Sequence, residues 1–249
     1  MILNNIKQLQ YLRQGGNINR SILEGALNII RPNITTLDIE TFVSKKMQEY
    51  EVQPAFLGYD AGDGPYPFAT CVSVNHQLVH TLPSKKSKIK KGDLVTIDMG
   101  VIYKGLNTDT AYTVEVGNGH VHDVFLSAGK AGLNNALKKA KVGNRIGDLS
   151  YEMQKSAEGA GFNVSVDLVG HGIGKKLHEP PQIPCYGKKD TGERLKEGMV
   201  LAIEIMYMQG SPKLTIGEDG FSLDTFDGSL SAQFEHTVVI GKKGCEILV

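Results

Sequence analysis

Four acids and two histidines in this chain stand where ionisable side chains are costly or oddly placed. Asp98 and Asp109 fall in two strand-like runs, Leu94 to Tyr103 and Leu106 to Val116, joined by Lys104-Gly105. If those two residues turn a hairpin, Tyr103 pairs with Leu106 and Asp98 with Ala111. Asp109 then lies on the same face as Asp98 and diagonal to it, with Cβ atoms roughly 7 Å apart, so both carboxylates reach one cation. Alone, the pair also reads as two solvated strand carboxylates, and a slip of one residue would separate them. Glu204 in MVLAIEIMYM and Glu235 in SAQFEHTVVI strengthen the first reading, because a lone charge inside an apolar strand is expensive to bury. Two carboxylates about 4 Å apart repel by roughly 4 kcal/mol at an effective dielectric of 20. Four converging acids therefore need protons or cations. His171 in VGHGIGKKLHEPP adds an imidazole among glycines and His178 follows seven positions later; either one, taken singly, reads more simply as a local hydrogen-bonding group. Four oxygen donors and one nitrogen make a hard site for Mn, Fe(II), Co, Zn or Mg and exclude a thiolate zinc site. Two ions are the better count: a pair roughly 3.5 to 4 Å apart holds a bridging water, lowers its pKa toward about 7 and polarises a carbonyl. Hydrolysis at neutral pH is the chemistry expected.

The elements that must position these groups can be read from periodicity. Apolar residues Leu12, Ile18, Ile22, Ala26 and Ile29 mark a long amphipathic helix that Pro32 cannot continue. Thr36 is the expected cap of a second helix, with Asp38 in its first turn and Ile39, Phe42, Val43 and Met47 on its buried side. Strands follow over 69–75 and in the hairpin. A second Ala- and Leu-rich helix pair, from about 122 to 141 and from Gly147-Asp148, precedes strand-like runs over 199–208 and 232–240. Pro32-Asn33-Ile34 and Asp38 thus sit about 110 residues before Gly143-Asn144-Arg145 and Asp148. Chance similarity competes with this faint repeat. The order of elements nonetheless predicts an α+β fold, one domain over 1–249 with internal pseudosymmetry between halves of about 1–118 and 119–249.

Composition bounds the function. With 249 residues, 41% hydrophobic and 22% charged, the chain supplies its own core, so a metal site is needed for chemistry and not for folding. Lys+Arg and Asp+Glu both total 27, and no overall field favours nucleic acid or an anionic membrane. Lys85, Lys86, Lys88, Lys90 and Lys91 form a basic stretch whose simplest reading is a solvated loop, since no aromatic residues interleave it. Cys71, Cys185 and Cys245 are odd in number and follow no zinc spacing, which suits a reducing compartment. No basic start with an apolar run and no stretch of 18 apolar residues occurs, so a cytoplasmic protein is expected.

The ordered segments VNHQLVHTLP, TIDMGVIYKGLNTDTAYT, GHGIGKKLHEPPQIP, LAIEIMY and SAQFEHTVVI strongly resemble the type I methionine aminopeptidases, metallopeptidases of family M24 with the pita-bread fold. The resemblance spans essentially the whole chain and implies two pseudo-symmetric α,α,β halves around a central antiparallel sheet. It implies two divalent ions (Mn, Fe(II), Co or Zn) held by Asp98, Asp109, His171, Glu204 and Glu235, with Asp109 and Glu235 bridging, Asp98 on one ion, His171 and Glu204 on the other, and a hydroxide between them. It further implies that Glu204 shuttles a proton and that His80 and His178 contact the scissile amide, His80 being favoured over His76. Tyr59, Tyr66, Cys71, Leu177 and Phe221 would surround a methionine side chain. N-terminal methionyl peptides and nascent chains with a small second residue are the implied substrates; a monomer is expected, and the alternative reading of the lysine stretch is a transient contact with ribosomal RNA.

Departures from the family pattern are Thr81 in place of a usual glycine, Asn107-Thr108 where His-Gly is frequent, Ile205 in place of a common proline, and a longer, Gly/Pro-rich loop from Asp60 to Phe68. Thr81 and Thr108 are expected to add side chains near the site that narrow substrate access or alter metal preference. Two other readings compete. One is an X-Pro-cleaving peptidase of the same fold, disfavoured because those enzymes usually carry an additional N-terminal domain; the other is a non-catalytic binding protein, disfavoured by the intact acids.

Overall fold

A computed structural model describes residues 1–3, 5–62, 64–117 and 119–249. Residue 63, inside the Gly/Pro-rich loop, and residue 118, at the expected seam between halves, lie outside the described residues. The first half opens with α1 (Ile6–Ile29) and α2 (Thr36–Glu49), then β1 (Gln53–Pro54), β2 (Thr70–Val74), β3 (Gln77–Val79), β4 (Leu94–Tyr103) and β5 (Leu106–Glu115). The second opens with α3 (Asp123–Lys139) and α4 (Ile146–Gly159), then β6 (Asn163–Val164), β7 (Val169–Gly172), β8 (Glu179–Pro184), β9 (Val200–Met208), β10 (Leu214–Ile216), β11 (Leu223–Thr225), β12 (Ser231–Ile240) and β13 (Cys245–Ile247).

A large antiparallel sheet runs β1-β4-β5-β12-β9-β7-β8, with β2 beside β4, β6 beside β9 and β13 beside β12. The β4–β5 hairpin has the register that its turn dictates: Lys104 and Gly105 have φ of 51° and 77°, Tyr103 pairs with Leu106 and Asp98 with Ala111. Positive φ at both turn positions matches the twist of the two strands it joins.

Alternation along the strands divides the sheet into a helix side and an open side. Val95, Ile97, Met99 and Val101 of β4 bury against Ile22, Ala26, Ile39 and Val43 of α1 and α2. Leu201, Ile203, Ile205 and Tyr207 of β9 bury against Leu133, Ala136, Leu149 and Met153 of α3 and α4. The intervening residues, among them Asp98 and Glu204, project from the opposite face. Ile205 thus belongs to the helix side, where α3 approaches so closely that a Cβ on Gly132 would lie 2.6 Å from Ile205 Cδ1. A third cluster, including Phe56, Tyr66, Cys71, Ile173 and Leu177, covers part of the open side.

The faint repeat proves structural. Asn33 and Gly143 both take left-handed backbone conformations before the second helix of their half, with φ of 75° and 95°. A capping box follows at Thr35–Asp38, at the matching place the Asp148 carboxylate accepts from the Arg145 N–H at 2.8 Å, and Thr35 and Arg145 bridge to Lys88 and Arg194. Thr36 is therefore not the cap. The reciprocal bonds need a three-residue step to Asp38, which Thr35 satisfies, while the Thr36 hydroxyl turns to the Ser84 carbonyl at 3.2 Å. Further on, Thr96 and Asp98 of β4 correspond to Ala202 and Glu204 of β9, each 106 positions later.

Candidate metal centre

Register alone aligns three of the acids. Asp98 pairs with Ala111 across β4 and β5, Ala111 with Glu235 across β5 and β12, and Glu235 with Glu204 across β12 and β9. The three carboxylates stand in one row across four adjacent strands, with only an alanine between the first and second. Asp109 lies two residues from Ala111 on the same face. His171 on β7 pairs with Ala202, two residues from Glu204. Oxygen atoms of Asp109 and Glu235 and a ring nitrogen of His171 all fall within 4.8 Å of one another, and His171 Nε2 is 4.0 Å from Asp109 Oδ2.

Local bonds fix these side chains. The Asp109 backbone N–H donates to Thr237 Oγ1 and its carbonyl accepts from the same hydroxyl, both at 2.8 Å; Asp109 Oδ1 accepts from the Thr110 N–H at 3.0 Å. Thr110 donates to the Glu235 carbonyl at 2.9 Å. Behind them, the buried Asn19 of α1 donates to the carbonyls of Met99 and Thr108, binding the helix to both hairpin strands. Gln233 Nε2 donates to Glu204 Oε2 at 2.8 Å. Neither Asn19, Thr237 nor Gln233 stands out in the sequence, since a single neutral polar residue in an element carries no signal of its partners.

His171 presents a bare nitrogen to the cluster. Its Nδ1 lies 2.9 Å from the Gly172 carbonyl, which only accepts, so Nδ1 carries the proton and Nε2 keeps its lone pair. Burial pushes its pKa down to about 4, keeping the ring neutral at pH 7. The acids move the other way. Burial raises Asp109 to about 7 and Glu204 to about 8, and lifts Asp98 and Glu235 well above the carboxylate range, with the neighbouring carboxylates adding to the rise in Asp98, Glu204 and Glu235. Asp98 Oδ1 and Glu235 Oε1 are buried without a hydrogen-bond partner among the described residues. Four buried carboxylates, two orphaned oxygens and one unprotonated imidazole nitrogen fit divalent cations, which would satisfy the orphans and remove the repulsion together.

This floor belongs to a cavity of about 660 Å³ whose lining includes the five donors, His80, His178, Tyr59, Tyr66, Cys71, Leu177 and Phe221. The Tyr59 hydroxyl and His178 Nδ1 share a 2.7 Å hydrogen bond, and the His171 and His178 rings meet edge to face at 4.4 Å. Surrounding protein, with His171 and His80 beside it, lowers the His178 pKa. Tyr66 is buried, donates to the carbonyls of Thr70 and Thr81, and packs edge-on against Phe221 at 5.8 Å. Ala61 and Gly64 of the longer loop also line the rim.

The departures face elsewhere. Thr81 accepts from the Ser73 hydroxyl at 2.9 Å, Thr108 Oγ1 accepts from Asn19, and Asn107 Nδ2 donates to the Gly174 carbonyl at 2.9 Å. None of the three lines the cavity, so the expected narrowing of access by Thr81 and Thr108 does not occur. Cys71, Cys185 and Cys245 are free thiols. Among the described residues no helix is long and apolar enough to cross a membrane.

Comparison with known proteins agrees with this geometry. The sequence model described as metallopeptidase family M24 matches residues 10–242. A methionine aminopeptidase of Aquifex aeolicus (strain VF5) is 40% identical over 248 residues, covering 97% of this chain and 96% of that one. The crystal structure of methionine aminopeptidase from Thermotoga maritima superposes with a TM-score of 0.94 at 41% identity, covering 100% of this chain and 99% of that one. Prolidase from Pyrococcus furiosus shares the fold, with a TM-score of 0.78 at 23% identity, but this chain covers only 65% of it.

Proposed function

Because the chain belongs to metallopeptidase family M24, we propose that its cavity removes the N-terminal methionine from peptides and nascent proteins with a small second residue. The observation that carries this reading is the row of acids, with His171 beside it, at the floor of a cavity whose walls suit a flexible thioether. Asp98, Asp109, His171, Glu204 and Glu235 would hold two divalent ions (Mn, Fe(II), Co or Zn). Such ions supply, when bound, a water acidified toward neutrality and a Lewis acid for the carbonyl.

The chain's own residues do the rest. With the Tyr59 hydroxyl donating to Nδ1, His178 carries its proton on Nε2 and offers it to the oxygen of the tetrahedral intermediate. His80, beside His178, contacts the scissile amide, and Glu204 carries the proton from the attacking water to the leaving amine. Tyr59, Tyr66, Cys71, Leu177 and Phe221 hold the methionine side chain and keep water from it. Residues 1–249 act as one catalytic domain, a cytoplasmic monomer in this reading. Any transient, salt-sensitive contact with the ribosome would fall on its exposed lysines at 85, 86, 88, 90 and 91.

The test is an anaerobic assay of purified protein stripped and reloaded with each of the four metals. Methionine release from a Met-Ala peptide, well above cleavage of an X-Pro peptide, is the expected result. Preference for X-Pro would transfer the chain to the prolidase-like activity, and inactivity with every metal would leave only a binding role.

A further inference from the structure

Gln233 precedes Glu235 by two residues on β12 and so projects from the same face. It is 2% exposed and lines the cavity. Its Nε2 donates to Glu204 Oε2 at 2.8 Å and lies 3.5 Å from Asp98 Oδ2, while its Oε1 is buried without a partner among the described residues. An orphaned amide oxygen is costly, and turning the carboxamide over would be worse, for it would aim that oxygen at two carboxylates. The acids therefore dictate which way the amide faces.

We propose that Gln233 is a positioning residue for the metal centre, its two amide hydrogens holding Glu204 and Asp98 so that each keeps its other oxygen turned toward the cations. This deepens the metallopeptidase reading above and rests on it. Asp98 and Glu204 come from opposite halves of the molecule, so one side chain braces a ligand from each. The residue type follows from the task. Lysine or arginine would supply donors but compete with the cations through its charge. An apolar residue would leave both carboxylates free to rotate toward each other, and a carboxylate would add a fifth repulsive acid. Only a neutral carboxamide of this length brings two donors and no charge.

Replacing Gln233 by Met keeps length and removes the donors; Gln233→Glu keeps shape and replaces most of the donor capacity by acceptors. Calorimetric titration of the metal-stripped full chain with Mn(II) or Co(II) under nitrogen reads the effect directly. Both variants are expected to bind the ions about 10- to 100-fold more weakly than wild type. At saturating metal, kcat on a Met-Ala peptide should fall while KM changes by less than about twofold. Melting of the metal-free proteins provides the structural control: a Gln233→Met protein with a lower melting temperature but an unchanged metal isotherm would overturn the inference, as would an unchanged isotherm for Gln233→Glu should the Met variant not fold. Those results leave the metal reading intact. A wild-type chain that bound no ion would remove that reading and this inference with it.

Discussion

At His171 one carbonyl decides which ring nitrogen is bare, and burial keeps that nitrogen unprotonated; the same burial makes the four acids reluctant to ionise. These opposite shifts give the metal-free protein a definite pH signature. Asp109 and Glu204 rise from ordinary values of 3.8 and 4.5 to about 7 and about 8. Over that interval the folded state holds protons the unfolded chain has released, so stability is lost as pH climbs. His171 falls from 6.5 to about 4, and its contribution is lost as pH drops through that range. Below 6.5 the two effects oppose each other; above it the acids act alone. Chelator-treated protein should therefore melt at progressively lower temperature between pH 6.5 and 8, and a saturating divalent ion should abolish that slope. A flat profile without metal would contradict the burial described for the acids. The acids were legible in the sequence because charge inside an apolar strand has few explanations. Gln233, Thr237 and Asn19 were not, because a neutral amide or hydroxyl is tolerated almost anywhere and only its partners reveal its purpose.

At the scale of elements, the hairpin was legible to the residue: Lys104-Gly105 admits one turn, the turn admits one register, and that register sets Asp98 and Asp109 diagonal to each other. The start of α2 was legible only to within one position, since adjacent threonines are both competent caps and the choice rests on the return bond from Asp38. Strand β7 was harder still. It is four residues long, and its register with β8 shifts between His171 and Gly172. Gly172 permits that shift because a Cβ there would collide with the Pro180 carbonyl. Gly172→Ala should cost about 1–3 kcal/mol through overpacking. It should also weaken metal binding, because the carbonyl that sets the His171 tautomer belongs to this residue. Thermal melts and a metal titration of the same preparation check both, and an alanine variant with native affinity would separate the close approach from the centre.

Across the whole molecule, two halves of matching order build one sheet, and the acids arrive in corresponding pairs. The sequence shows this repeat only at turns and caps, where φ and hydrogen bonding restrict the residue type; the helices between drift freely because any apolar stripe of the right period packs. One position breaks the correspondence. Ser73 pairs with Thr96 on β4 as His171 pairs with Ala202 on β9, so the first half places a hydroxyl where the second places an imidazole. Ser73 spends that hydroxyl on Thr81 and offers nothing to the cavity. A perfectly duplicated scaffold would give an incoming cation no reason to choose a side. Here, if two ions bind, one side is all-oxygen and the other is not, so a borderline ion such as Co(II) should fill them in two distinguishable steps. Exchanging His171 for the serine of its twin should draw those steps together, which would trace the order of uptake to the His171 imidazole.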